Sequence, residues 1–143
     1  MKILLATDDS KFSEAAAKSL AAQFRPQDTE VRVLHVVEPI VISEPPQMSP
    51  GYYPELEDSL PQARELVDRV ATMLSSAGFK VTTSVATGDA RSAILEDAAE
   101  SHADLIVLGS HGRKGLERFF LGSVSEGVAR HAHCSVQIVR IPS

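Results

Sequence analysis

The chain has 143 residues, 43% hydrophobic and 23% charged, with no tryptophan and few aromatics; that length and composition suit one domain, residues 1–143, around an aliphatic core. A formal net charge of −5 speaks against nonspecific binding to nucleic acid or an anionic membrane, since both need an excess of Lys and Arg. The single cysteine, Cys134, excludes an intrachain disulfide and a cysteine-only metal cage; the apolar runs are too short to span a bilayer, and the opening MKILLATDDS meets acidic residues too early for a secretory leader, so a cytoplasmic protein is expected.

Ile3 to Ala6 form a short apolar run ended by Thr7, Asp8, Asp9 and Ser10, a turn and cap cluster, which predicts a strand feeding a helix. In that helix Ala16, Leu20 and Phe24 recur at four-residue spacing, Ala17 and Ala21 widen the stripe, and Arg25-Pro26 stops it. EVRVLHVVEP is rich in β-branched residues and nearly continuously apolar from Val33, as expected of a central strand covered on both faces. Residues 39–61 hold six of the eight prolines and predict a long irregular loop.

Beyond it, Leu60, Ala63, Val67, Val70 and Leu74 keep helical spacing up to Gly78, and KVTTSVATG restores strand character. A third helix fits DARSAILEDAAESH with Ile94, Leu95, Ala98 and Ala99 inward. Then follow a strand in ADLIVLGS, a glycine-rich stretch, a helix through SVSEGVARHA and a last strand, SVQIVR. Five strands alternating with four helices call for a parallel sheet with helices on both faces. Ligands of such sheets bind beyond the carboxyl ends of the strands, which here are Thr7 to Ser10, Val36 to Pro39, Thr87 to Asp89 and Gly109 to Ser123.

GSHGRKGLERFFLGS, residues 109–123, follows the most apolar short strand. Gly109 and Gly112 flank a Ser-His pair, Gly122 and Ser123 stand where the last helix starts, and Arg113, Lys114 and Arg118 supply charge between them. Glycines at a strand end bring backbone N–H groups close to a phosphate, and a following helix adds its own unpaired N–H groups. Turns and caps alone would use the same glycines, and the spacing is neither a P-loop nor GxGxxG, so both readings stay open on physical grounds.

The spacing G-x2-G-x9-G-S, from Gly109 through Gly112 to Gly122-Ser123, resembles the ATP-binding pattern of the universal stress proteins. KILLATDDS, VLHVVEP and the segment from ADLIVLGSHG to SVQIVR extend the resemblance over the chain, leaving only the proline-rich stretch without a specific match. The resemblance implies an α/β, Rossmann-like fold of the adenine nucleotide alpha hydrolase type, with a five-stranded parallel sheet in order 3-2-1-4-5, and a homodimer joined through the last strands. It also implies bound ATP, and Mg²⁺ would then ride on its phosphates. Asp8 would contact the ribose, the backbone of Val36 the adenine, and Gly109, Gly112, Gly122 and Ser123 the ribose and phosphates, with Val124 close by. Ala6 and Leu108 replace the proline and methionine of some ATP-binding members and touch the pocket wall.

Other candidates have plainer alternatives. Asp8 and Asp9 form either a Mg²⁺ pair or a helix cap; His131 and His133 are set too far apart around a helix for a ready metal pair; Cys134 has no motif-placed His and acid around it; and His111 either lines the phosphate loop or only completes it. With no Walker lysine, water-activating base or arginine finger to name, the expected function is a nucleotide-responsive binding module acting on a protein partner rather than an enzyme. The alternative is a slow ATP hydrolase or adenylyl-transferring enzyme using Asp8 or Asp9 with Mg²⁺.

Overall fold

A computed structural model describes residues 1–39, 54–111 and 121–141. The elements follow the alternation expected: β1 (Lys2–Ala6), α1 (Lys11–Gln23), β2 (Glu30–Val37), α2 (Pro54–Ser76), β3 (Lys80–Thr87), α3 (Ala90–Glu100), β4 (Leu105–Gly109), α4 (Ser123–His131) and β5 (Ser135–Val139), with a 3-10 turn at Pro26–Asp28. The strands form one sheet in order β3-β2-β1-β4-β5, and all pairs are parallel.

Side-chain alternation along β1 explains why the sheet is covered twice. Ile3 and Leu5 enter a core with Ala16, Ala17 and Leu20 of α1 and Val67 and Leu74 of α2. Leu4 and Ala6 enter a second core with Ile94 and Ala98 of α3 and Val128 of α4. A central strand buried on both faces must be apolar at every position, which is why this run lacks polar alternation. On the second face Arg32 of β2 makes a forked ion pair with Asp97 of α3, 2.7 and 2.9 Å. The Asp97 hydrogen bond raises the Arg32 pKa above its ordinary value.

The caps are local. Ser10 accepts from the Ser13 N–H to start α1, and Asp89 accepts from the Ser92 N–H to start α3. Backbone and hydroxyl hydrogen bonds from Ser92 hold the Asp89 carboxyl below its ordinary pKa. At the other ends, α2 closes on Gly78 (φ 99°) with Phe79 N–H bonded to Leu74 O, and α3 closes on His102 (φ 55°) with Ala103 N–H bonded to Ala98 O. Both are left-handed caps of the Schellman kind.

Three expectations need correction. The loop expected over 39–61 ends early, because α2 starts at Pro54 and continues through Pro61; residues 40–53 lie outside the described residues. An interior proline costs about 3 kcal/mol, and the burial of Ala63, Leu66, Val67 and Leu74 offsets it. Leu60 is exposed at 41%, Leu66 taking an inward place. Ala99 is exposed as well, so α3 buries a narrower stripe, Ile94 and Ala98.

Candidate functional site

After β1 the chain fills one side of the sheet with β2 and β3, then crosses to the other side with β4 and β5. The carboxyl ends of β1 and β4 therefore border the reversal point, where open parallel sheets bind ligands. The helix after β1 packs on one face and the helix after β4 on the other, so the two connections part there.

On the β1 side, Asp8 is held by its own turn. Its Oδ1 accepts from the Ser10 N–H at 2.8 Å and from the Ser13 hydroxyl at 2.8 Å, while its N–H donates to Ser13 Oγ at 2.9 Å. These contacts fix the carboxylate without making it the cap of α1, which is Ser10. The cap alternative for Asp8 and Asp9 is thus corrected. Ser13 is buried inside this knot, a role that a serine in the first helical turn signals only weakly in sequence.

Val36 lies beyond the end of β1. The pairing of β1 with β2 stops at Ala6 and Leu34, with the Thr7 N–H donating to Leu34 O at 2.8 Å. The main chain of Leu34 therefore faces β1, and strand alternation turns that of Val36 the same way, past the last paired residue. The turn is braced by His35, whose Nδ1 stands 2.7 Å from the Thr7 carbonyl oxygen.

On the β4 side, Gly109 is the last strand residue, and a Cβ there would stand 2.7 to 2.8 Å from backbone atoms of Phe12. Glycine is required by the close approach of α1. Ser110 extends the pairing, its N–H donating to Val139 O. The Ser110 carbonyl accepts from the Gly122 N–H at 2.8 Å and from Ser125 Oγ at 2.8 Å, which pins the start of α4 to the end of β4. Gly122 is the N-cap of α4 and makes no side-chain cap hydrogen bond. Ser123 is the first helical residue and is exposed, the cap position being taken by Gly122. Val124 packs partly buried on the second core.

The first turn of α4 thus presents N–H groups with no capping side chain, which favours an anion. The α1 side adds charge: Lys11 Nζ lies 5.5 Å from the centre of the Phe12 ring, and that ring lies 5.1 Å from the His111 ring. Ala6 and Leu108 are buried in the second core. Gly112, Arg113, Lys114 and Arg118 lie outside the described residues. Sequence reading missed the bracing by Ser13, His35, Ser110 and Ser125; hydroxyls at a strand end and in a first helical turn were the available signal.

Elsewhere, His131 ends α4 and His133 lies past its cap, both exposed. Cys134 lines a cavity of about 200 Å³ with Leu95, Ile106 and His133, and burial raises its thiol pKa. Among the described residues no helix is long and apolar enough to cross a membrane.

The profile of the Universal stress protein family matches residues 1–140. The universal stress protein MJ0531 of Methanocaldococcus jannaschii is 35% identical over 142 residues, covering 99% of this chain and 82% of that protein. Sll1388 of Synechocystis, also a universal stress protein, is 30% identical over 151 residues, covering 97% of each. The solved structure of hypothetical protein MJ0577 superposes with a TM-score of 0.85 at 29% identity, covering 99% of this chain and 96% of that one. Universal stress proteins solved with cAMP, with AMP (Arabidopsis thaliana) and with dAMP (Archaeoglobus fulgidus) share the fold at TM-scores of 0.67, 0.71 and 0.66 and identities of 23%, 19% and 18%. They cover 98%, 100% and 96% of this chain, which spans 96%, 93% and 96% of theirs. With the profile matching residues 1–140 and relatives at 30% identity or more over nearly its whole length, the chain belongs to the universal stress protein family.

Proposed function

We propose that this protein binds ATP in the crevice between the carboxyl ends of β1 and β4 and acts as a nucleotide-responsive regulatory module of the stress response. The observation that carries this reading is the start of α4, where Gly122 is pinned to Ser110 and the first turn has no capping side chain. Phosphate oxygens would accept from that turn and from the Ser123 hydroxyl, with the backbone of Gly109 and Gly112 alongside the ribose and phosphates and Val124 nearby. The adenine would meet the main chain of Val36, and Asp8, held through Oδ1, would offer its second oxygen to the ribose. Mg²⁺ would be carried by the phosphates and lower their charge.

Relatives of this fold solved with AMP, dAMP and cAMP support an adenine nucleotide as the ligand. The strand order supports a homodimer: β5 is an edge strand, and pairing with a second copy would cover its unpaired backbone groups. Nucleotide occupancy would then alter a surface read by a protein partner in the cytoplasm.

The test is mass spectrometry of small molecules released by denaturing the purified protein, combined with a phosphate and AMP release assay. Recovery of adenine nucleotide without turnover above uncatalysed hydrolysis is the expected result. Turnover lost in Asp8→Ala would show a slow ATP hydrolase instead.

A further inference from the structure

Gly127 is buried inside α4, where a glycine weakens a helix. A Cβ at that position would collide with Arg91 Cδ and stand 3.0 Å from Arg91 Cγ and 3.5 Å from Nε. The side chain missing from α4 is thus a seat for the stem of an arginine in the first turn of α3. Ile94, Ala98 and Val128 close the core between the two helices, so the reason for the seat lies at the head of the arginine.

That head carries a charge without a committed partner. Arg91 is exposed and makes no hydrogen bond or ion pair among the described residues. Its charge reaches Asp89, whose carboxyl is held below its ordinary pKa first by Ser92 and to a lesser degree by Arg91. The Asp89 carboxylate is already engaged, however, accepting from the Ser92 N–H and hydroxyl as the cap of α3.

Both helices follow a strand, α3 after β3 and α4 after β4, so both start at the carboxyl edge of the sheet. Side chains lean toward the start of their own helix. Past its seat on Gly127 the arginine therefore leads back toward the first turn of α4, whose N–H groups have no capping side chain. The crevice opens on this same face, since Ala6, Val36, Leu108 and Val124 belong to the core that α3 and α4 cover. A guanidinium and a helix start are both positive, and a ligand with several anionic groups satisfies the two together.

We propose that Arg91, seated on Gly127, is a specificity-determining residue that favours nucleoside polyphosphates over monophosphates by pairing with a phosphate beyond the one held at the start of α4. The inference rests on the nucleotide reading above. A monophosphate satisfies the helix alone, whereas a diphosphate or triphosphate also reaches the arginine.

The experiment titrates AMP, ADP and ATP into the wild type, Arg91→Met and Gly127→Ala, and measures the melting temperature of each without ligand. Methionine keeps an unbranched apolar stem for the seat and removes the charge; alanine keeps the arginine but displaces it, while strengthening the helix. The wild type is expected to bind ADP and ATP more tightly than AMP. Both variants are expected to lose ATP affinity about tenfold or more, as for a charge-assisted hydrogen bond, with AMP affinity unchanged. The melting temperature should hold in Arg91→Met and be equal or higher in Gly127→Ala, where a merely structural contact would lower it. Equal affinity of the wild type for AMP and ATP, parallel losses of both ligands in Arg91→Met, or wild-type selectivity in either variant would each overturn the inference and leave the nucleotide reading intact. A wild type that binds none of the three overturns both.

Discussion

A Cβ built on Gly109 meets backbone carbon and oxygen of Phe12 at 2.7 and 2.8 Å, atoms that move only if α1 moves. A Cβ on Gly122 meets Ser110 O and His111 Cα at 3.3 Å, a tight contact that a small shift relieves. The two glycines therefore differ in kind although they belong to one spaced pattern. Overpacking of a close backbone approach makes Gly109→Ala destabilising by about 1 to 3 kcal/mol, and Gly122→Ala less so; urea denaturation of both variants checks the order, and an equal loss would contradict it. The spacing announced that glycines were needed, but which backbone each one admits depends on α1, whose approach no local pattern encodes. Asp8 is a similar case: its acidic character at a strand end was legible, its clamp by Ser10 and Ser13 was not.

At the scale of elements, α2 and α3 end with the same hydrogen-bonding scheme but different residues, Gly78 in one and His102 in the other. A left-handed conformation costs a side chain about 1 kcal/mol or more relative to glycine. His102→Gly should accordingly raise stability by about that amount, since His102 is exposed and loses little contact. Gly78→Ala should lower it, because its φ of 99° is strained for any side chain and Pro26 Cβ stands 3.3 Å away. Thermal melting of both variants tests the pair, and a lower melting point for His102→Gly would refute the cap argument. The Gly78 stop was visible in the sequence; the His102 stop was not, because histidine carries no turn preference strong enough to read. The early start of α2 was hidden for the opposite reason. Pro54 and Pro61 read as breakers, yet a proline opening a helix gives up only an N–H that would lack a partner there, and the sheet-facing stripe from Ala63 to Leu74 carries the helix past Pro61.

For the whole molecule, alternation of strands and helices pointed to a parallel sheet, and right-handed crossovers cover both of its faces because the strand order runs both ways from β1. The order 3-2-1-4-5 does not follow from alternation, since each crossover can step to either side of the sheet; that expectation came from family resemblance and agrees with the fold. The order sets the crevice between β1 and β4, and there Asp8, Val36, Gly109 and the start of α4 come to the same edge of the sheet. The most direct test of the account is calorimetric titration of the folded protein with Mg-ATP, beside Gly122→Val, whose branched side chain would occupy the start of α4. The account predicts saturable binding of one ATP per chain, weakened about tenfold or more when the valine excludes a phosphate, with the circular dichroism spectrum retained. No binding at millimolar ATP, or equal binding by the variant, would contradict it.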